Sequence, residues 1–249
     1  MAINTEKNSY TVIFAAIMVV IVGTILAYLS SSLSGKIDEN KRLEKQQNIL
    51  YAMGVNENVG EGSVSFVPTE KVAGEFSKYI KEQLIIEGDK ITKDDQAYLI
   101  DLKKQATAAK EGKTRKLPLF IGDKDGKTFY IIPMRGKGLW DAIWGFVALD
   151  DQMVVQGVYF DHAGETPGLG ANIKQRYFMD DFAGETILNG TKYAGIAVAK
   201  GNNDPLNEIK DDNEVDALAG ATITGNGVSA MISESVNLYK DYLETIRVK

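Results

Sequence analysis

Between Tyr10 and Leu29 the chain reads YTVIFAAIMVVIVGTILAYL, twenty residues without a charge, with Lys7 and Lys36 the nearest basic residues on either side. Eleven of the twenty are Val, Ile, Leu or Phe. Each favours the bilayer centre by roughly 0.3 to 0.6 kcal/mol, and a helix of this length spans the hydrocarbon core. Tyr10 and Tyr28 stand near the two ends, where interfacial rings belong. The run is long for the apolar part of a signal peptide, no A-x-A site follows it, and no cysteine permits lipoprotein processing. The expectation is an uncleaved single-pass anchor in the lipid bilayer, residues 1–35.

The rest of the chain has a restricted chemical repertoire. Cysteine is absent and His162 is the only histidine. Disulfides, thiolate zinc, iron–sulfur clusters and bis-His haem are therefore impossible within the chain. No G-x-S-x-G elbow accompanies His162, which removes the usual hydrolase arrangement. A formal charge of −6 with interleaved bases argues against nucleic acid as a partner. Any redox role would need an organic cofactor.

The element pattern is that of an α+β domain with a mostly antiparallel sheet flanked by helices. Lys36 to Met53 reads as a juxtamembrane helix ending at Gly54, followed by a Gly/Asn-rich break. These give a helix and linker over 36–60 and a domain over 61–249. Val72, Phe76, Tyr79, Ile80 and Leu84 predict a helix over 69–84. Strand-like runs begin at Ala97, Leu117, Thr128, Ile143 and Met153, with hairpin turns at Asp125-Gly126 and Asp150-Asp151. A helix over 173–182 and a strand from Thr191 follow. A closing amphipathic helix, starting near Asn226, carries Val228, Met231, Ile232, Ser235, Val236, Tyr239, Leu243 and Ile246 on one face. IGDKDGKT lacks the first glycine of a phosphate loop, and GKGLWD has Asp141 in place of the third glycine of a dinucleotide fingerprint. NADH is therefore not expected to bind here.

The strongest chemical signal is DALAGATITG, Asp216 to Gly225. Gly220 and Ala221 leave room for a bulky group against the backbone, and two hydroxyls, Thr222 and Thr224, follow. Thr224 is expected just before the helix, where free amides and the dipole favour a phosphate. Thr222 is better placed to brace the loop, and local physics does not choose between the two hydroxyls. A second segment, HAGETPGLG from His162 to Gly170, is a bend through Pro167-Gly168 that bares backbone amides. There Thr166 could bond a ring edge and Leu169 could pack on a ring. Glu165 and His162 are further candidates. Trp140 and Trp144 read as core or interface aromatics.

DALAGATIT resembles the D-x-x-[S/T]-G-A-T-x-T acceptor recognised by bacterial flavin transferases. Asp216, Gly220, Ala221, Thr222 and Thr224 match, while Ala219 stands where Ser or Thr is usual. HAGETPGLG resembles the flavin-facing loop of one family, the C subunits of the sodium-pumping NADH:quinone oxidoreductase, and GKGLWDAIWGFVALD, from Gly136, also resembles this family. The resemblance implies FMN held by a phosphoester on the last threonine, Thr224. Its other proposed contacts fall on Asp216, Gly220, Ala221, Thr222, His162, Glu165, Thr166, Gly168 and Leu169. It also implies electron relay among membrane subunits, B, D and E in particular, with a flavin transferase during maturation and no complete reaction by this chain alone. The related G subunit of the Rnf complex and a non-redox anchored binding module stay open as alternatives. The family places its soluble domain on the periplasmic side of the bacterial inner membrane, whereas Lys36, Lys41, Arg42 and Lys45 outnumber Lys7 and favour the inside.

Overall fold

In the computed structural model, residues 7–60, 62–202, 204–205 and 207–247 are described. Contacts divide the chain into two units, Met1–Arg42 and Leu43–Lys249. The first helix, α1 (Asn8–Ala52), is continuous through the anchor and the juxtamembrane stretch that the sequence separated. Within the first unit its apolar side chains are exposed, Val19 at 72% and Tyr28 at 70% among them. An 18-residue window reaches a mean hydropathy of 2.8 with none of it buried, so this helix is long and apolar enough to cross a membrane.

The second unit starts with the last turns of α1, where Ile49, Leu50 and Ala52 are fully buried. Then come α2 (Thr69–Tyr79), β1 (Ile80–Glu87), β2 (Lys90–Lys93), α3 (Leu102–Lys110), β3 (Leu117–Lys124), β4 (Lys127–Lys137), β5 (Ala142–Leu149) and β6 (Val155–His162). The six strands form one antiparallel sheet in the order β2-β1-β3-β4-β5-β6. The expected α+β architecture is present. The tight turn between β3 and β4 is Asp125-Gly126, both residues with positive φ, as a right-twisting two-residue hairpin requires. Beyond the sheet lie α4 (Arg176–Asp180), four two-residue strands β7 (Leu188–Asn189), β8 (Lys192–Tyr193), β9 (Ala197–Val198) and β10 (Glu214–Val215), and the closing helix α5 (Thr222–Ile246).

Helix α5 lies on β4 and β5. Its buried face is Val228, Met231, Ile232, Ser235, Val236, Tyr239 and Leu243, the face expected from the sequence. Tyr239 anchors it by donating to the Pro118 carbonyl at 2.7 Å. The N-terminal end of α5 can approach the sheet because Gly227 has no side chain: a Cβ there would stand 2.4 Å from the Lys137 carbonyl oxygen.

Several elements depart from expectation for identifiable reasons. The helix expected over 69–84 stops at Tyr79, and Ile80–Glu87 is a strand. A spacing of four keeps side chains on one face of either a helix or a strand, so Phe76, Ile80 and Leu84 fit both periods. Pairing with β3 decides for the strand. The run AYLIDL forms a 3-10 turn, Ala97–Leu99, rather than a strand. Asp101 then caps α3, accepting from the amides of Lys103 and Lys104. The helix expected over 173–182 is a 3-10 turn, Gly170–Lys174, and the short α4, separated by extended Gln175. The strand from Thr191 is divided into β8 and β9, with Gly195 at φ +79° between them, packed against the backbone of Ser233. The turn after β5 is longer than two residues: Asp150 accepts from the amides of Gln152 and Val154, and Met153 has positive φ.

Candidate functional site

The three segments singled out in the sequence meet at one side chain, Glu165, which is 4% exposed. One carboxylate oxygen, Oε1, accepts the backbone N–H of Trp140 at 2.9 Å and that of Asp141 at 3.5 Å, both in the connection between β4 and β5. The other, Oε2, accepts the Thr224 hydroxyl at 2.6 Å. The Glu165 N–H donates to His162 Nδ1 at 3.2 Å. That bond requires an unprotonated Nδ1, so the neutral ring carries its proton on Nε2, a buried nitrogen with no partner among the described residues. Burial pushes the Glu165 carboxyl up. The bonds from Thr224 and from the amides of Trp140, Asp141 and Leu139 outweigh burial and hold it below the usual glutamate value. Glu165 is thus a carboxylate at neutral pH, able only to accept, and the Thr224 hydroxyl must donate.

Space for this pair comes from glycine. A Cβ on Gly170 would stand 2.5 Å from both Glu165 Oε2 and Thr224 Oγ1, and one on Gly138 would stand 2.5 Å from Glu165 Oε1. Either addition would expel the carboxylate. Gly138 and Gly227 were not among the sequence candidates. For Gly227 the signal was there: with Gly225 it weakens the start of a helix and calls for a packing reason.

Thr224 differs from its expected placement. Helix α5 begins at Thr222, not near Asn226, so Thr224 is the third helical residue, 1% exposed rather than in an open loop. It still belongs to the first turn. Ala221 occupies the cap position with no side-chain bond. Among the described residues the amides of Thr222, Ile223 and Thr224 have no acceptor, and the first bond of the helix runs from the Gly225 N–H to the Ala221 carbonyl at 2.9 Å. An uncapped N-terminus of a 25-residue helix is a ready anion seat. Thr222 is exposed, and among the described residues its hydroxyl forms no bond to the loop it was expected to brace.

The remaining candidates surround this centre unequally. Thr166 Oγ1 accepts from Trp140 Nε1 at 3.2 Å, joining the first two segments a second time. Gly168 has φ +77° in the bend, and Leu169 lies over Gly220, whose Cβ would stand 2.7 Å from Leu169 Cδ2. Asp216 is half-buried and near enough to Asp181 to help raise that carboxyl, after burial as the main cause. Trp140 is 67% exposed, not a core aromatic. Leu139, Leu169 and Ile223 are also exposed, so each of the three joined segments presents an apolar side chain to solvent.

These residues suit FMN in two respects. The free amides of the first turn of α5 match a phosphate, and the exposed apolar side chains of the three segments match a flavin ring. Thr224 supplies a hydroxyl at the junction.

Comparisons with known proteins bear on the family and the fold. Residues 138–237, which contain two of the segments whole and the third from Gly138 onward, match the family model described as an FMN-binding domain. The C subunit of the Na(+)-translocating NADH-quinone reductase from Haemophilus ducreyi is 28% identical over 232 residues, covering 90% of this chain and 88% of its own. NqrC of Shewanella oneidensis superposes with a TM-score of 0.63 at 27% identity, covering 83% of this chain and 99% of its own. The crystal structure of the corresponding C subunit from Parabacteroides distasonis gives a TM-score of 0.70 at 30% identity, covering 85% of this chain and 96% of its own. The similarity to these C subunits runs over most of the chain, and the chain belongs to the family of the C subunits of the Na(+)-translocating NADH-quinone reductase.

Proposed function

We propose that this chain holds FMN by a phosphoester on Thr224 and serves as an electron-carrying subunit of a sodium-translocating NADH:quinone reductase. The observation that carries this reading is the coincidence of a hydroxyl, an uncapped helix N-terminus and an exposed apolar rim at one junction of three segments. When bound, the flavin supplies one- and two-electron redox chemistry that no side chain here can supply.

The residues divide the work of holding it. The amides of Thr222, Ile223 and Thr224 meet the phosphate, and the positive end of the α5 dipole favours its charge. Trp140, Leu169 and Ile223 cover apolar ring surface, and Thr166 offers a hydroxyl at the ring edge. The buried Nε2–H of His162 supplies a further donor beside the junction. A covalent tether suits a carrier whose cofactor is open to solvent, because an exposed and weakly enclosed flavin would otherwise be lost. The chain completes no reaction alone: its partners are the other membrane subunits, B, D and E, and a flavin transferase during maturation. The anchor is a single pass through the bacterial inner membrane, with the globular unit on the periplasmic side.

The test is fluorescence on a denaturing gel. Chain produced together with a flavin transferase should fluoresce at its own mass, and Thr224→Val should abolish the band. Thr224→Ser, which keeps a hydroxyl, should retain it.

A further inference from the structure

Resting on the reading that Thr224 is the acceptor, we propose that Glu165 is the general base of flavin attachment, so that the chain supplies the proton acceptor for its own modification. The reaction itself sets the requirement. Joining a threonine hydroxyl to the phosphate of FMN itself would require hydroxide to leave phosphorus. A flavin carrying its phosphate as an anhydride, a flavin dinucleotide, offers a nucleoside monophosphate as leaving group instead. Thr224 Oγ attacks the flavin-side phosphorus and the Oγ–P bond forms. The anhydride P–O bond breaks, its electron pair departs with the nucleoside monophosphate, and the hydroxyl proton passes to Glu165 Oε2.

A threonine hydroxyl is a weak nucleophile unless a base adjoins it. Glu165 Oε2 accepts that hydroxyl at 2.6 Å, within the reach a general base needs. The carboxylate does not depend on Thr224 for its position, because the amides of Trp140 and Asp141 hold the other oxygen and His162 holds the Glu165 backbone. Among the described residues it has no ion-pair partner, although it is 4% exposed. A buried carboxylate kept without a counter-charge is costly as a simple loop brace, and such groups gather where they take part in chemistry. An ionised carboxylate of ordinary or lowered pKa is adequate for this task, as in protein kinases, where an aspartate accepts the proton of the substrate hydroxyl during phosphoryl transfer.

Access follows from the same geometry. Gly170 packs directly on the Glu165–Thr224 pair and Leu169 rests on Gly220, so the end of the ETPGLG segment covers the hydroxyl. The donor reaches Oγ when that cover lifts, while Glu165 stays in place on the amides of the β4–β5 connection. After the ester forms, Oγ has no proton to donate and the contact with the carboxylate is lost.

The experiment uses the full chain made without flavin transferase, purified in detergent, then mixed with the transferase and flavin adenine dinucleotide. Covalent flavin is followed by gel fluorescence and intact mass over a pH range from about 6 to about 8.5, and wild type is compared with Glu165→Gln. The glutamine keeps the size of the side chain and an acceptor for the Trp140 amide. Loss of the base should slow attachment by about 100-fold or more at neutral pH. The ratio of wild-type to variant rate should shrink roughly tenfold for each pH unit as hydroxide replaces the carboxylate. Glu165→Asp should react more slowly than wild type but with the wild-type pH profile. Attachment to Glu165→Gln at the wild-type rate, or slowed by the same factor at every pH, would overturn the proposal. Should Glu165→Gln not fold, Glu165→Asp decides: slowing with an unchanged profile supports the base, and an unslowed rate overturns it. Failure of the wild-type chain to take flavin on Thr224 would instead strike the acceptor reading.

Discussion

At the scale of single residues, Glu165 and Thr224 set the local energetics as well as the proposed chemistry. In the unmodified chain the Thr224 hydroxyl satisfies a buried carboxylate oxygen. Thr224→Val removes the donor and leaves that oxygen desolvated and unpaired. Bonds to charged groups contribute about 1.5 to 3 kcal/mol, so unmodified Thr224→Val should be destabilised by about 2 kcal/mol, with Thr224→Ser much closer to wild type. Denaturant unfolding of the three unmodified chains measures this. Equal midpoints would mean that the Glu165–Thr224 bond contributes nothing in solution. A threonine exposed just before the helix would have cost far less. The difference comes from α5 starting at Thr222, which turns Thr224 inward.

At the scale of elements, the segment leading to the acceptor runs past a second buried carboxylate and is held by side-chain bonds to backbone carbonyls. Glu185 is fully buried, with Lys210 Nζ at 3.7 Å. Lys210 and Asn207 both donate to the Asp181 carbonyl, and Asn213 donates to the carbonyls of Thr186 and Leu188. Burial pushes the Glu185 carboxyl up to about 7, with Lys210 opposing. The sign is that of a raised acid. Its contribution to stability is complete below the ordinary value of 4.5 and is lost as pH rises through about 7. The loss is about 3 kcal/mol across that window. Glu165 titrates in the opposite sense, losing its contribution only as pH falls below the usual glutamate range. Glu185→Gln should therefore leave stability near wild type at about pH 5 and raise it at about pH 8, as read from denaturant midpoints. A parallel pH dependence in variant and wild type would remove Glu185 as its source.

These elements also show what a sequence can disclose. The buried face of α5 was legible because one period sustained over 25 residues leaves little ambiguity, and the Asp125-Gly126 hairpin because that dipeptide suits few other conformations. Strand β1 was hidden by a spacing common to both periods, and α3 by the apolar residues around Asp101. The site was legible as three separate motifs. Their junction was not, since Glu165 reaches Trp140 and Thr224 across 25 and 59 residues of chain, separations to which no local pattern refers.

At the scale of the whole molecule, the chain has, among the described residues, one helix long and apolar enough to cross a membrane and one globular unit, and two opposed tendencies bear on its orientation. Lys36, Lys41, Arg42 and Lys45 favour the inside, whereas the proposed function puts the globular unit outside. We predict that protease added to intact spheroplasts digests residues 43–249 and spares the anchor. Full protection of that unit until the membrane is permeabilised would reverse the orientation. The covalent flavin is the claim on which the rest depends, and peptide mass spectrometry of chain matured with the transferase tests it most directly. One peptide should be heavier by an esterified FMN, with fragmentation placing the group on Thr224. An adduct on Thr222, an adduct that persists in Thr224→Val, or flavin released intact by denaturation would contradict it.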